Sequence, residues 1–207
     1  MKEEDDKIEA FWRWFVQHNS FIQNSIQSES AKDRATVVEK MNNYILDLGL
    51  FTWDLGLNDE NTWFLTISPN GDSELLEISQ RIMEDAPTHL DWEFHASKPA
   101  KNWNRIFIVY NEQMDEIEID ANDWEFVATP AGEGKITLLL EAKNIQTLDT
   151  ETAEQAAHLF LVNEIGELAK ISQLKDVKII SALETEQETT KTSIEHLKNK
   201  LNSFGWH

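Results

Sequence analysis

The chain has 207 residues, 38 Asp and Glu against 18 Lys and Arg, a net charge of −20, eight tryptophans and no cysteine. A surface of that sign repels phosphate and anionic lipid, so neither nucleic acid nor a membrane is expected as a partner. The lack of cysteine removes disulfides, thiolate nucleophiles and Cys-ligated zinc, and a chain of 24.0 kDa buries roughly 70% of its extended surface, enough for one substantial core.

The acidic start, Met1-Lys2-Glu3-Glu4-Asp5-Asp6, lacks the apolar run of a secretory signal, and a cytoplasmic location is expected. From Asp5 to about Gln27 the residues Ile8, Phe11, Trp12, Phe15, Ile22 and Ile26 recur at helical spacing and predict an amphipathic helix. Trp14 and Phe21 form a second stripe on that helix, seven residues apart. Either a second layer covers them or they face a partner. Ser30-Ala31-Lys32-Asp33 resembles a capping box with Asp in place of Glu, and Ala31, Val38, Met41, Ile45 and Leu48 predict a second helix that Gly49 ends.

Phe51, Trp53, Leu55 and Leu57 alternate with polar or small residues, Asn58 to Asn61 turn the chain, and Trp63, Leu65 and Ile67 alternate again, which reads as a β-hairpin. After Pro69-Asn70-Gly71, Asp72 or Ser73 caps a helix through Leu75, Leu76, Ile78, Ile82 and Met83 that stops before Pro87. Short strands follow: Trp92 to Ala96, the more fully apolar run Ile106-Phe107-Ile108-Val109, Ile117 and Ile119 between carboxylates, Trp124 to Ala128, and Ile136 to Leu140. Connections this short favour an antiparallel meander with one apolar and one strongly acidic face. Asp149 or Thr150 opens a helix that ends near Gly166, Val177 to Ser181 reads as a last strand, and Thr185-Glu186-Gln187-Glu188 caps a closing helix with Ile194, Leu197 and Leu201. The expected fold is α+β: a largely antiparallel sheet, a two-stranded hairpin plus a meander, packed with an N-terminal helix pair and C-terminal helices. It is read as a single domain over 1–207, with the helix pair in 1–49, the sheet with inserted helices in 50–181 and the last helix in 182–207.

The glycine spacings of dinucleotide and phosphate loops are missing, as are a Gly-x-Ser-x-Gly elbow and a His-Glu-x-x-His helix, and no cofactor is expected. His158 follows Glu154 by one helical turn and precedes Glu164 and Glu167, side-chain types that serve as zinc or manganese ligands or as acid and base. The same spacing occurs on ordinary solvated helices. Glu112, Asp115, Glu116, Glu118, Asp120, Asp123 and Glu125 crowd carboxylates onto one stretch without the loop pattern of an EF-hand. They read as a solvated acidic face or a docking face for a basic partner. Asp91, Glu93 and His95 share a strand face, with no nucleophile or oxyanion donor identifiable beside them.

Ile67-Ser68-Pro69-Asn70-Gly71, Ala86-Pro87, Leu90, Trp92-Glu93-Phe94 and Ala96-Ser97-Lys98-Pro99 resemble the pattern of a family of uncharacterised bacterial proteins of unknown function. Phe11-Trp12-Arg13-Trp14-Phe15 and Leu161-Val162-Asn163-Glu164-Ile165-Gly166-Glu167 extend the similarity over most of the chain. Lys98 stands where that family usually carries Arg, which weakens any anion-binding role there. The resemblance implies one domain and no activity.

Three functions are compatible with the sequence. The leading expectation is a non-enzymatic protein-binding or regulatory module whose partner is another protein, a basic one by charge, contacted through Trp14, Phe21, Glu116, Glu118 and Asp120. One alternative is a metal-assisted hydrolase with its site near His158, Glu164 and Glu167. The other is an acidic neutraliser of a basic toxin or of a nucleic-acid-binding protein.

Overall fold

A computed structural model describes residues 2–28, 30–182 and 190–204. The fold is α+β, and the chain divides into two compact units, Met1–Lys98 and Pro99–His207.

In the first unit, α1 (Lys2–Gln27) and α2 (Ala31–Leu48) lie against each other. Ile8, Phe11, Trp12, Phe15 and Ile22 of α1 are buried at the spacing the sequence predicts. On α2 the buried stripe is Val37, Met41, Ile45 and Leu48, and Val38 is exposed. Spacings of four, four and three keep Val37 in line with the rest, whereas Val38 lies 100° further round. Ser30 caps α2 through its hydroxyl, which accepts from the Asp33 amide.

Strands β1 (Thr52–Leu57) and β2 (Trp63–Ser68) form the expected antiparallel hairpin, and β3 (Trp92–His95) adds to β2 in parallel, giving the order β1-β2-β3. The parallel pairing follows from α3 (Ser73–Glu84), which carries the chain back between β2 and β3. Asp72 caps α3 by accepting from the Glu74 and Leu75 amides at 2.8 and 3.1 Å. The central strand is buried on both faces: Leu65 and Ile67 on one, Thr66 and Ser68 on the other. Arg81 of α3 pairs with Glu4 and Asp5 at the start of α1, and its guanidinium is held more firmly protonated by them.

The second unit holds two sheets. Strands β4 (Ile106–Tyr110) and β5 (Glu116–Asp120) pair with each other, and β6 (Glu125–Pro130), β7 (Ile136–Glu141), β8 (Leu174–Ile180) and β9 (Thr192–Ser193) form a mixed sheet in the order β8-β7-β6-β9. The run of strands is therefore not one continuous meander. A tight turn, in which the Trp124 amide donates to the Ala121 carbonyl, buries both residues and directs β6 into the second sheet. The β7–β8 pair is parallel because α4 (Thr150–Ile165) and α5 (Glu167–Gln173) intervene.

Trp124, Phe126, Leu138, Leu140 and Phe160 fill this core, with the Trp124 and Phe160 rings 4.9 Å apart. Ile194, Leu197 and Leu201 are buried, as the sequence predicts, on a short 3-10 turn and on α6 (Leu197–Asn202). Thr192 and Ser193 ahead of them pair with β6. The capping box over 185–188 lies outside the described residues. Among the described residues no helix is long and apolar enough to cross a membrane.

Candidate functional site

The β4–β5 hairpin collects most of the carboxylates that the sequence singles out. Its turn closes through Asn111, whose side-chain oxygen accepts from the Gln113 and Asp115 amides at 3.0 and 2.8 Å while Met114 adopts a φ of 65°. The strand period then divides the hairpin into two faces. Phe107, Val109, Ile117 and Ile119 turn inward onto the core that includes Trp103 and Trp124. Ile106, Ile108 and Tyr110 turn outward at 41%, 48% and 45% exposure.

The register places an outward carboxylate opposite each of them: Ile106 faces Asp120, Ile108 faces Glu118, and Tyr110 faces Glu116. The solvent face is thus a row of three large apolar side chains beside a row of three anions. The Tyr110 hydroxyl donates to Glu116 Oε1 at 3.0 Å, and that bond raises the phenol above its ordinary value.

The anionic row ends in a cleft of about 340 Å³ lined by Asp120, Asp123, Trp124, Glu141, Lys143 and Asn144. Asn144 braces it, accepting from the Trp124 indole N–H and donating to the Asp120 carbonyl, each at 2.7 Å. Glu141 is buried and takes the Lys143 ammonium at 2.7 Å, which holds that lysine protonated beyond its usual range. The cleft therefore already has a cation of its own chain on its deepest carboxylate.

Of the residues His158, Glu164 and Glu167, Glu164 lies in the last turn of α4. Glu164 is 8% exposed and is held by Arg105, whose Nε and Nη2 donate to the two carboxylate oxygens at 3.0 and 2.9 Å. The Trp103 indole N–H adds a third bond at 3.1 Å. This two-pronged pair keeps Arg105 charged and leaves Glu164 its counter-charge. Arg105 adopts a φ of 61°, a left-handed conformation uncommon for a side chain of its size.

Glu167 is buried at the start of α5 and His158 is half-buried on α4. Burial lowers the proton affinity of Lys170, one turn beyond Glu167. Among the described residues no group of three or more His, Asp or Glu side chains is placed to hold a metal ion.

The aromatic stripe of α1 resolves into two different residues. Trp14 is half-buried, stacked on Tyr44 of α2 at 5.1 Å and on His18 at 5.6 Å, so α2 supplies the second layer over it. Phe21 is exposed. In the first unit, His95 Nε2 lies 3.4 Å from Glu93 Oε2, and Glu93 also accepts from Asn58 at the hairpin turn.

Three features of the site leave no local signature in the sequence. Arg105 and Trp103 precede an apolar strand, and nothing in their spacing points to a glutamate fifty-nine residues on. The outward rank of Ile106 and Ile108 is hidden inside a run of four consecutive apolar residues. Glu141, at the end of an apolar strand, carries no local sign of its burial. Comparison of the chain with protein-family models, with curated proteins and with solved structures finds no match.

Proposed function

We propose that this protein is a non-enzymatic protein-binding module and that its contact surface is the solvent face of the β4–β5 hairpin. The single observation behind the reading is the pairing of Ile106, Ile108 and Tyr110, three large apolar side chains exposed side by side on a strand, with Asp120, Glu118 and Glu116 directly across the hairpin. Apolar side chains exposed singly are ordinary on a soluble protein, but a contiguous patch rimmed by polar groups is the anatomy of an interaction site.

The hydrolase alternative has less behind it. Glu164 is engaged by Arg105 and Trp103, which suits a structural role better than that of an acid, base or ligand.

The test is photocrosslinking in native extract, with p-benzoylphenylalanine replacing Tyr110 in one protein and exposed Glu39 of α2 in another. A discrete adduct from position 110 that position 39 does not give, and that Ile108→Ser removes, supports the reading. Identical adducts from the two positions, or none from 110, refute it.

A further inference from the structure

Resting on that reading, we infer that the occupant of the hairpin face is a basic amphipathic helix, an apolar stripe flanked on one side by lysine or arginine. Charge selects the sign of the partner. Glu116, Glu118 and Asp120 present three anions in a row, and a second copy of the same face would set six carboxylates against one another. The same row repels an anionic bilayer.

Geometry selects the form of the partner. Each rung of the face offers two chemistries side by side, one apolar and one anionic, on strands about 4.8 Å apart. An extended segment lying on the face would set down a single row of side chains, all from one of its own faces. A helix about 10 Å across presents adjoining stripes of different chemistry and so meets both rows together.

The lengths agree as well. Same-face residues on a strand repeat at about 6.8 Å, so the three rungs extend about 14 Å, which a helix of roughly ten residues covers in three turns. Leucines at i, i+4 and i+8 span about 12 Å along one helix face and so come within reach of Ile106, Ile108 and Tyr110, while basic residues on the flank reach the carboxylates. This is helix-on-surface recognition with its anchors set by the strand period.

The probe is a capped 14-residue peptide of leucine and lysine arranged with a helical period, compared with a peptide of the same composition in strict alternation. Binding is read by fluorescence anisotropy on the full-length protein. The helical-period peptide is expected to bind at least about tenfold more tightly, to gain helical circular dichroism on binding, and to weaken as salt rises.

Glu116→Lys with Glu118→Lys, and separately Ile108→Ser, are each expected to weaken it about tenfold without lowering the melting temperature appreciably, since all three residues are exposed. Equal binding of the alternating peptide overturns the inference. So does an affinity that Ile108→Ser leaves unchanged, since that marks general attraction to an acidic protein. If the peptide does not bind while position 110 crosslinks a partner, the helix assignment fails and the docking face stands. If neither occurs, both fail.

Discussion

Replacing Arg105 by methionine keeps the aliphatic stem of the side chain and removes both bonds that the guanidinium makes to Glu164. The carboxylate, 8% exposed in the parent protein, then keeps a bond from the Trp103 indole and has lost its cation. Breaking a buried ion pair by removing one partner costs about 3–5 kcal/mol, because the remaining charge has lost its counter-ion. Arg105 itself is 24% exposed, so water reaches the site once the guanidinium is gone, and the lower end, about 3 kcal/mol, is expected.

Glu164→Leu made in the Arg105→Met background removes the stranded charge. Its main cost is the Trp103 indole bond, about 1 kcal/mol, so the double variant should be more stable than Arg105→Met alone. Urea denaturation followed by circular dichroism measures both. At a slope of about 2 kcal/mol/M, a loss of 3 kcal/mol moves the midpoint by about 1.5 M. A midpoint shift below about 0.3 M for Arg105→Met, or simple additivity of the two substitutions, would show that the pair does not hold a buried charge in place.

Gly49→Ala should destabilise the first unit by about 1–3 kcal/mol, because the new Cβ would sit 2.7 Å from the Phe51 ring and 3.3 Å from a Leu75 methyl; calorimetry reads the loss. Asp149 caps α4 by accepting from the Thr152 amide and hydroxyl, bonds that hold its carboxyl below the ordinary carboxylate value. A lowered folded value means its stabilisation is complete above the unfolded carboxylate range and is lost as pH falls through the folded value. Asp149→Ala is therefore expected to lower the urea midpoint at neutral pH and to converge on the parent protein in acid. Tyr110 should ionise above the ordinary phenol value in an ultraviolet titration, and Glu116→Gln should bring it down; a phenol that does not respond would show that the Tyr110–Glu116 bond is not made in solution.

Most helices and their caps are legible in the sequence because they depend on local signals; α5, which follows Gly166 directly, is not among the helices the sequence predicts. Ser30, Asp72 and Asp149 each cap the helix expected of them, and the α1 stripe from Ile8 to Ile22 is buried as its spacing requires. Strand partners depend on the chain between them. The parallel pairs β2–β3 and β7–β8 become readable once α3, and then α4 with α5, are counted as crossovers, a step that short-loop reasoning passes over.

The hairpin face was half visible. Alternation marked Glu116, Glu118 and Asp120 as one face, but Ile106-Phe107-Ile108-Val109 gives no polar residue to show which side chains turn outward. The register with β5 shows it, and register is a long-range property. For the same reason Glu164 passed for a chemical group: its partner Arg105 lies beyond any local pattern, and the pair becomes evident when β4 and α4 come together.

Methyl NMR of isoleucine-labelled protein decides whether the outward side of β4 and β5 is where this protein meets its partner. Titration uses whatever partner position 110 crosslinks, once identified and purified. The Ile106 and Ile108 methyl signals are expected to shift or broaden while those of buried Ile119 and Ile136 hold still. Shifts confined to α1 and α2, or spread evenly over the isoleucines, would contradict it.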